Sequence, residues 1–447
     1  MVIWFGEIGL LDSNALTKLQ SIILIAIIIV AAIGGIAAYV SRIGDNQSSE
    51  TIKIGLLDDL DGLVGRPSWQ AARLAVEEIN AEGGILGRQV ELIGEDHDGG
   101  GDPVILTNAL TKLITVDNVD FIVGGASGQT DSLVQDIIAQ HKIICISVAT
   151  IPDEITQRVL DDYDKFKYYF STMFNATCGK LGMTDSMIHI RELTGFNKIG
   201  YLAEDLAWNK DFGNALDDFL PENGFELVYK GIFPPFDTVD FSSYFAAAEA
   251  AGVEVLVPMI VLDSGIPFCK EYYDRQSPML VFGGTNLLAS DPRGWEWTDG
   301  KCNNMDFGTV PTTTGYPFTS KTLQTRDAYM TRWDEAITWP AAVVYDNIKF
   351  ILKDAIERAG TTDTDAVIEA LEETSVETSN ARDFVFTESH ALMMGTDAND
   401  PNSDYSIVLV FQWQDGVQVP VYPKKIMEEA GATLTFPDWS GPWDDIS

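Results

Sequence analysis

From residue 51 the sequence alternates between short apolar runs of strand type and longer stretches with an apolar face at helical spacing, and it does so twice over. TIKIGLL (51–57) alternates like a strand, and SWQAARLAVEEIN (68–80) places Ala72, Ala75, Val76 and Ile79 on one side of a helix. RQVELIG (88–94) is the next strand. Asp102-Pro103 then opens a helix with a capping acid and a proline in its first turn, and DFIVGG, SLVQDIIAQ and KIICIS continue as strand, helix and strand. The rhythm restarts at residue 197 with NKIGYLAE, DFGNALDDFL, FELVYKGI, FSSYFAAAEAAG, EVLVPMI and PMLVFGG. Such alternation predicts α/β architecture, with parallel sheets wound by right-handed crossovers. Two consecutive rounds predict two lobes. Ligands of open parallel sheets bind outside the carboxyl ends of the strands, so facing strand-end loops would line a cleft.

A chain of 447 residues fits two or three domains. Its formal net charge of -38 excludes nucleic acid as a partner, because neutralising phosphates takes clustered Lys and Arg. The acids are spread along the whole sequence, as on a salt-tolerant soluble surface. Cys145, Cys178, Cys269 and Cys302 show no C-x-x-C spacing, which argues against a zinc ribbon or a redox motif. Cys145 in KIICIS reads as a buried thiol, and Cys269 and Cys302 are candidates to pair in an extracytoplasmic chain.

Residues 77–103, EEINAEGGILGRQVELIGEDHDGGGDP, hold two glycine-rich turns and a knot of acids around His97. Gly83-Gly84 falls after a helix and before a strand, so it reads as a helix stop rather than a phosphate loop. EDHDGGGD lacks the alternating ligands and closing Glu of a calcium loop, and reads as a solvated strand end leading to a helix cap. No cofactor and no metal are expected.

Residues 22–40, IILIAIIIVAAIGGIAAYV, carry no charge and are long enough to cross a hydrocarbon layer of about 30 Å. The reading is an N-terminal transmembrane helix within an anchor of residues 1–43, followed by a polar tether at 44–50. A cleaved signal peptide is the competing reading, for which AAIGGIAA offers small residues. Lys18 and Arg42 flank the span about equally, so charge does not orient it. Sequons at Asn46 and Asn175 favour an extracytoplasmic large domain.

IKIGLLDDLDGLVG, AARLAVEEINAEGGILGRQVELIGEDHDGGGDP and IAQHKIICISVAT resemble the first lobe of extracytoplasmic solute-binding proteins of branched-chain amino acid type ABC transporters. These are receptors of the type I periplasmic-binding fold. The resemblance continues through YLAEDLAWNKDFGNAL, VVYDNIKFILKDAIERAGTTDTDAVIEALEE, FVFTESHALMMG and VLVFQWQDGVQVPVYP. It implies a two-lobed fold of two doubly wound sheets joined by three crossovers, near 170–175, 307–311 and 384–390. Lobe one would combine 51–172 with 309–386, and lobe two 173–308 with 387–447.

The resemblance also implies a site. Ser127, Gly128, Gln129 and Thr130 in GGASGQTD match the loop that holds the ligand carboxylate at a helix start, where free N–H groups and the helix dipole suit an anion. The alternative is an ordinary glycine-rich turn capped by Thr130. Val148 and Thr150 in ISVAT match a second ligand-holding strand end, and Trp208 matches an aromatic that covers the ligand. Thr285 and Asn286 in FGGTNLL stand where amino-acid-binding relatives carry the acid that pairs with the ligand ammonium, with Asp263 or Asp131 as substitutes. LDGLVGRPSW brings Arg66 and Trp69 towards the cleft rim, where a guanidinium fork suits an anion.

The expected function is a membrane-anchored extracytoplasmic binder that captures a small polar solute, an amino acid or a related organic anion or amide. It would close its lobes on that ligand and deliver it to an ABC permease. The alternative is a sensor signalling through a partner membrane protein. An enzyme is not expected: His97, His141, His189 and His390 sit in no catalytic motif, and neither Ser127 nor Ser147 belongs to a G-x-S-x-G elbow.

Overall fold

The computed structural model describes residues 51–62, 65–98, 101–124, 130–148, 152–173, 175–235, 238–260, 264–286, 291–394, 405–406 and 409–446. The anchor (22–40), the tether (44–50), Ser127, Gly128, Gln129, Thr150, Asp263 and the Trp208 side chain lie outside the described residues. Among the described residues no helix is long and apolar enough to cross a membrane. Ile52–Ser447 forms one compact unit.

Its first sheet contains β1 (Ile52–Asp58), β2 (Val90–Asp96), β3 (Phe121–Gly124), β4 (Ile144–Ser147) and β5 (Tyr169–Ser171), in the order β2-β1-β3-β4-β5 and parallel throughout. β3, β4 and β5 are buried along their whole length, as strands covered on both faces must be, while edge strand β2 is mostly half-exposed. The helix expected over 68–80 begins at Gly65, since Pro67 is tolerated in a first turn that needs no N–H partner. It buries Ala71, Ala72, Ala75 and Ile79 and packs along helix Trp339–Asp346. It ends as expected at Gly83 and Gly84, both at positive φ, with the Gly84 N–H on the Ile79 carbonyl. Asp102 caps helix Pro103–Thr115 by accepting from the Val104 N–H at 2.7 Å.

The second sheet holds β6 (Lys198–Glu204), β7 (Glu226–Phe233), β8 (Val255–Ile260), β9 (Leu280–Val281) and β10 (Thr285–Asn286), again parallel, in the order β10-β8-β6-β7 with β9 also on β8. Period two divides its side chains: Val255, Val257 and Met259 enter one apolar cluster, Leu256 and Ile260 the other. The single strand expected over PMLVFGG is broken between β9 and β10. Pro258 in β8 has no N–H to offer there, and Gly284 lies so close that a Cβ would stand 2.0 Å from the Pro258 carbonyl oxygen.

β11 (Asp306–Gly308) bridges to Gly284 through Phe307 and pairs antiparallel with a later hairpin. Between them, β12 (Ser375–Val376) and β13 (Phe384–Val385) form a small ribbon. The hairpin itself is β14 (Val410–Gln414) and β15 (Val417–Tyr422), turned by Asp415-Gly416 with both residues at positive φ.

The chain leaves the first sheet after β5 and enters the second through helix Ala176–Thr194. It returns after β11, so that Tyr329, Ala341, Tyr345 and Ile351 join the first core, as do Phe384, Phe386 and Leu392. Val410 and Val421 belong to the second. The pairing considered for Cys269 and Cys302 is not formed: both are buried free thiols in the apolar cluster around Phe268, and the Asn286 amide approaches the Cys269 sulfur at 3.5 Å. Cys145 is buried and free, as expected.

Candidate functional site

In the first sheet, β3 ends on Gly124 at φ +90, where a Cβ would meet the Leu57 carbonyl oxygen at 2.5 Å; only glycine lets the chain turn away here. The chain is next described at Thr130, the buried N-cap of helix Asp131–His141, whose carbonyl accepts from the Leu133 and Val134 N–H groups. Val148, also buried, follows β4 directly. β3 and β4 are paired neighbours, and Val148 directly follows the second of them.

Asp131 is the first residue of that helix and is wholly buried. Its Oδ1 accepts from the Tyr169 hydroxyl at 3.1 Å, and its Oδ2 has no partner among the described residues. Loss of hydration pushes its carboxyl up to about 7, with the Tyr169 hydrogen bond opposing the shift. Nearby, β1 ends in Asp58, raised by burial and drawn back by His97, whose backbone N–H meets the Asp58 carbonyl. The knot of acids around His97 is thus a strand end with Asp96 and Asp98 exposed beside one buried histidine. Among the described residues no group of three metal-ligating side chains occurs.

The second sheet presents Glu204, Ile260 and Asn286 at the same ends, all buried. The buried Asn209 amide donates to the Glu204 and Met259 carbonyls at 3.0 and 3.3 Å, tying β6 to β8 where they terminate. Asn286 turns inward. Its amide donates to the Gly265 carbonyl at 3.0 Å, and a Cβ on Gly265 would collide with its Oδ1, so the side chain braces helix Gly265–Arg275. Thr285 is half-buried beside it. Glu204 and Asn209 were not singled out from sequence, although YLAE ending a strand was the available signal.

Arg66 is already engaged. Its guanidinium grips Glu335 through two bonds of 3.0 Å, a partner 269 residues away that no local pattern announces. Trp69, half-buried, packs on Gly94 of β2 and on the core of the first sheet. Arg293 pairs with Asp291 at 2.7 Å and lies over the Trp297 ring.

A model of the periplasmic binding protein family matches residues 51–398, more than three quarters of the chain. The chain belongs to that family. It is similar to Leu/Ile/Val-binding protein homolog 7 of Brucella melitensis biotype 1, 26% identical over 401 residues, covering 85% of this chain and 93% of that one. It is also similar to Leu/Ile/Val-binding protein BraC3 of Rhizobium johnstonii, 27% identical over 329 residues, covering 72% and 83%. Among solved structures, a putative branched-chain amino acid ABC transporter from Silicibacter pomeroyi shares the fold at TM-score 0.75 and 20% identity, covering 88% of this chain and 100% of that one. LivJ from Streptococcus pneumoniae in complex with isoleucine matches at TM-score 0.66 and 18% identity, covering 83% and 100%. A solute-binding protein from R. palustris in complex with benzoate matches at TM-score 0.66 and 15% identity, covering 83% and 96%.

In this periplasmic binding protein His390 is fully packed. His390 stacks on Phe170 at 4.0 Å, and its ring nitrogens meet the Tyr169 carbonyl and the Glu372 carboxylate. Burial holds it below the usual histidine range, against the pull of Glu372. Asp153 spans the first passage between the sheets, accepting from both the backbone N–H and the hydroxyl of Thr177, the latter at 2.7 Å. The Asn347 amide reaches the Thr172 hydroxyl at 3.0 Å beside the same passage.

Proposed function

We propose that this chain is a membrane-anchored extracytoplasmic substrate-binding protein that captures a small polar solute by lobe closure and delivers it to an ABC importer. The observation that carries this reading is the family match over residues 51–398, on a fold whose two parallel sheets both end in buried polar groups. Residues 22–40 act as the anchor, with 44–50 as tether and the large domain outside. The lobes are 51–172 with 309–386 and 173–308 with 387–447. Ligand enters between open lobes, contacts both, and shifts the hinge equilibrium to closed. The protein is read as a binder and not an enzyme, since His189 and His390 are committed to the packing around them.

The ligand favoured is an aliphatic amino acid. Curated relatives are named for Leu, Ile and Val, and fold neighbours hold isoleucine in one case and the amine-free benzoate in another. Its carboxylate would sit on Ser127, Gly128, Gln129 and Thr130, with Val148 and Thr150 beside it and Trp208 as cover. Asp263 is the first choice for the ammonium, because Asn286 is committed to Gly265 and burial opposes the ionisation of Asp131. Thr285 adds a hydroxyl on the second lobe. Arg66 and Trp69 are assigned to the frame, given Glu335 and Gly94. Calorimetry with leucine and its deaminated keto acid tests this. Leucine should bind at about micromolar strength, near -8 kcal/mol, and Asp263→Asn should cost it tenfold or more, about 1.4 kcal/mol. Tighter binding of the keto acid than of leucine would refute the amino-acid reading.

A further inference from the structure

Asp131 occupies the first turn of an eleven-residue helix, the one whose start the proposed function gives to the ligand carboxylate. A helix N-terminus offers a few free N–H groups and about half a positive charge. Two anions there compete for the same stabilisation and repel each other. Among the described residues, the surroundings of Asp131 contain nothing to relieve the conflict. From β5 it faces the Tyr169 hydroxyl, and from β4 the buried Cys145 thiol, which is neutral. On its own helix, Gln135 is turned away to the Ile155 carbonyl. Arg158 of helix Asp153–Asp161 is spent on Gln135 and Asp136, and Lys165 leans on the same Asp136. The second carboxyl oxygen, buried and without a partner among the described residues, is the position a proton would take.

We propose that Asp131 carries a proton whenever a carboxylate ligand occupies the start of helix Asp131–His141, so that ligand capture takes up a proton and weakens as pH rises through neutrality. The inference rests on the reading of the protein as a carboxylate binder and adds a residue that sets its pH response. Ionised Asp131 would take over the helix start and oppose the ligand. Neutral Asp131 leaves the dipole and N–H groups to it, and its hydroxyl can donate. The free carboxyl titrates at about 7, so the linkage falls at neutral pH.

Calorimetry on the full chain in detergent, with leucine and 4-methyl-2-oxopentanoate as probes in buffers of different ionisation enthalpy, reads proton uptake directly. At about pH 8 uptake should approach one proton per ligand, and affinity should be about tenfold weaker than at about pH 6. Asp131→Asn should abolish both the uptake and the pH dependence, and bind about tenfold tighter than the wild type at pH 8. Leucine binding without proton uptake, or with uptake that persists in Asp131→Asn, overturns the inference and leaves the binding function standing. Loss of leucine binding alone in Asp131→Asn would assign the residue to the ammonium and also overturns it. If neither probe binds the wild type, the carboxylate-binder reading falls, and this inference with it.

Discussion

The Asn286 amide donates to the Gly265 carbonyl and leans on the Cys269 sulfur, while Thr285, one residue earlier, is half-buried at the same strand end. Removing the Asn286 side chain strips a buried carbonyl of its donor and opens space behind helix Gly265–Arg275. Asn286→Ala should therefore cost about 1–3 kcal/mol of stability. Thr285→Ala should stay within about 0.5 kcal/mol in the absence of ligand and weaken leucine binding. Thermal melts and calorimetry on the two variants check this; equal melting losses would return both residues to one role. At this scale the sequence was least legible. The motif FGGTNLL presents both residues alike, and only the approach of Gly265, twenty-one positions earlier, separates them. Arg66 is the same case, since its partner Glu335 is brought up by tertiary structure alone.

At the level of strands and helices, period and punctuation carried most of the reading. Alternation marked β1 and β6, Asp102-Pro103 marked a helix start, and Gly83-Gly84 marked a helix stop, because each is a local backbone requirement. The break between β9 and β10 was not legible, because it arises where Pro258 of one strand meets Gly284 of another. Gly284→Ala places a Cβ against the backbone of β8 and should cost on the order of 2–4 kcal/mol. Gly308→Ala is the contrast: its N–H bonds the Gly284 carbonyl, yet no atom lies within 3.4 Å of an added Cβ, so it should be close to neutral. Urea unfolding of the pair measures the difference, and equal losses would reject the close approach as the cause.

For the whole molecule, buried carboxyls set how stability depends on pH. Asp131 and Asp346 are pushed up to about 7 and about 6 by burial, and Asp58 and Asp306 are raised for the same reason. A raised carboxyl keeps its proton in the folded state after the unfolded chain has released it, so stability falls as pH climbs from about 4 to about 7. His189 and His390, lowered by burial, act in the opposite sense and cost stability as pH drops below about 6.5. The net charge of -38 adds self-repulsion that salt screens. Melting temperature should therefore decline as pH climbs towards about 7 and level off above it, and rise with added sodium chloride; a melt insensitive to both would contradict this assignment.

On the proposed function, a bound solute draws two lobes together. Val104, 66% exposed beside the carboxyl end of β2, and Val239, 71% exposed after β7, offer one dye position on each lobe. Energy transfer between dyes at Val104→Cys and Val239→Cys should rise with leucine and saturate at the concentration that saturates calorimetry. Heat of binding with no change in transfer would contradict capture by closure.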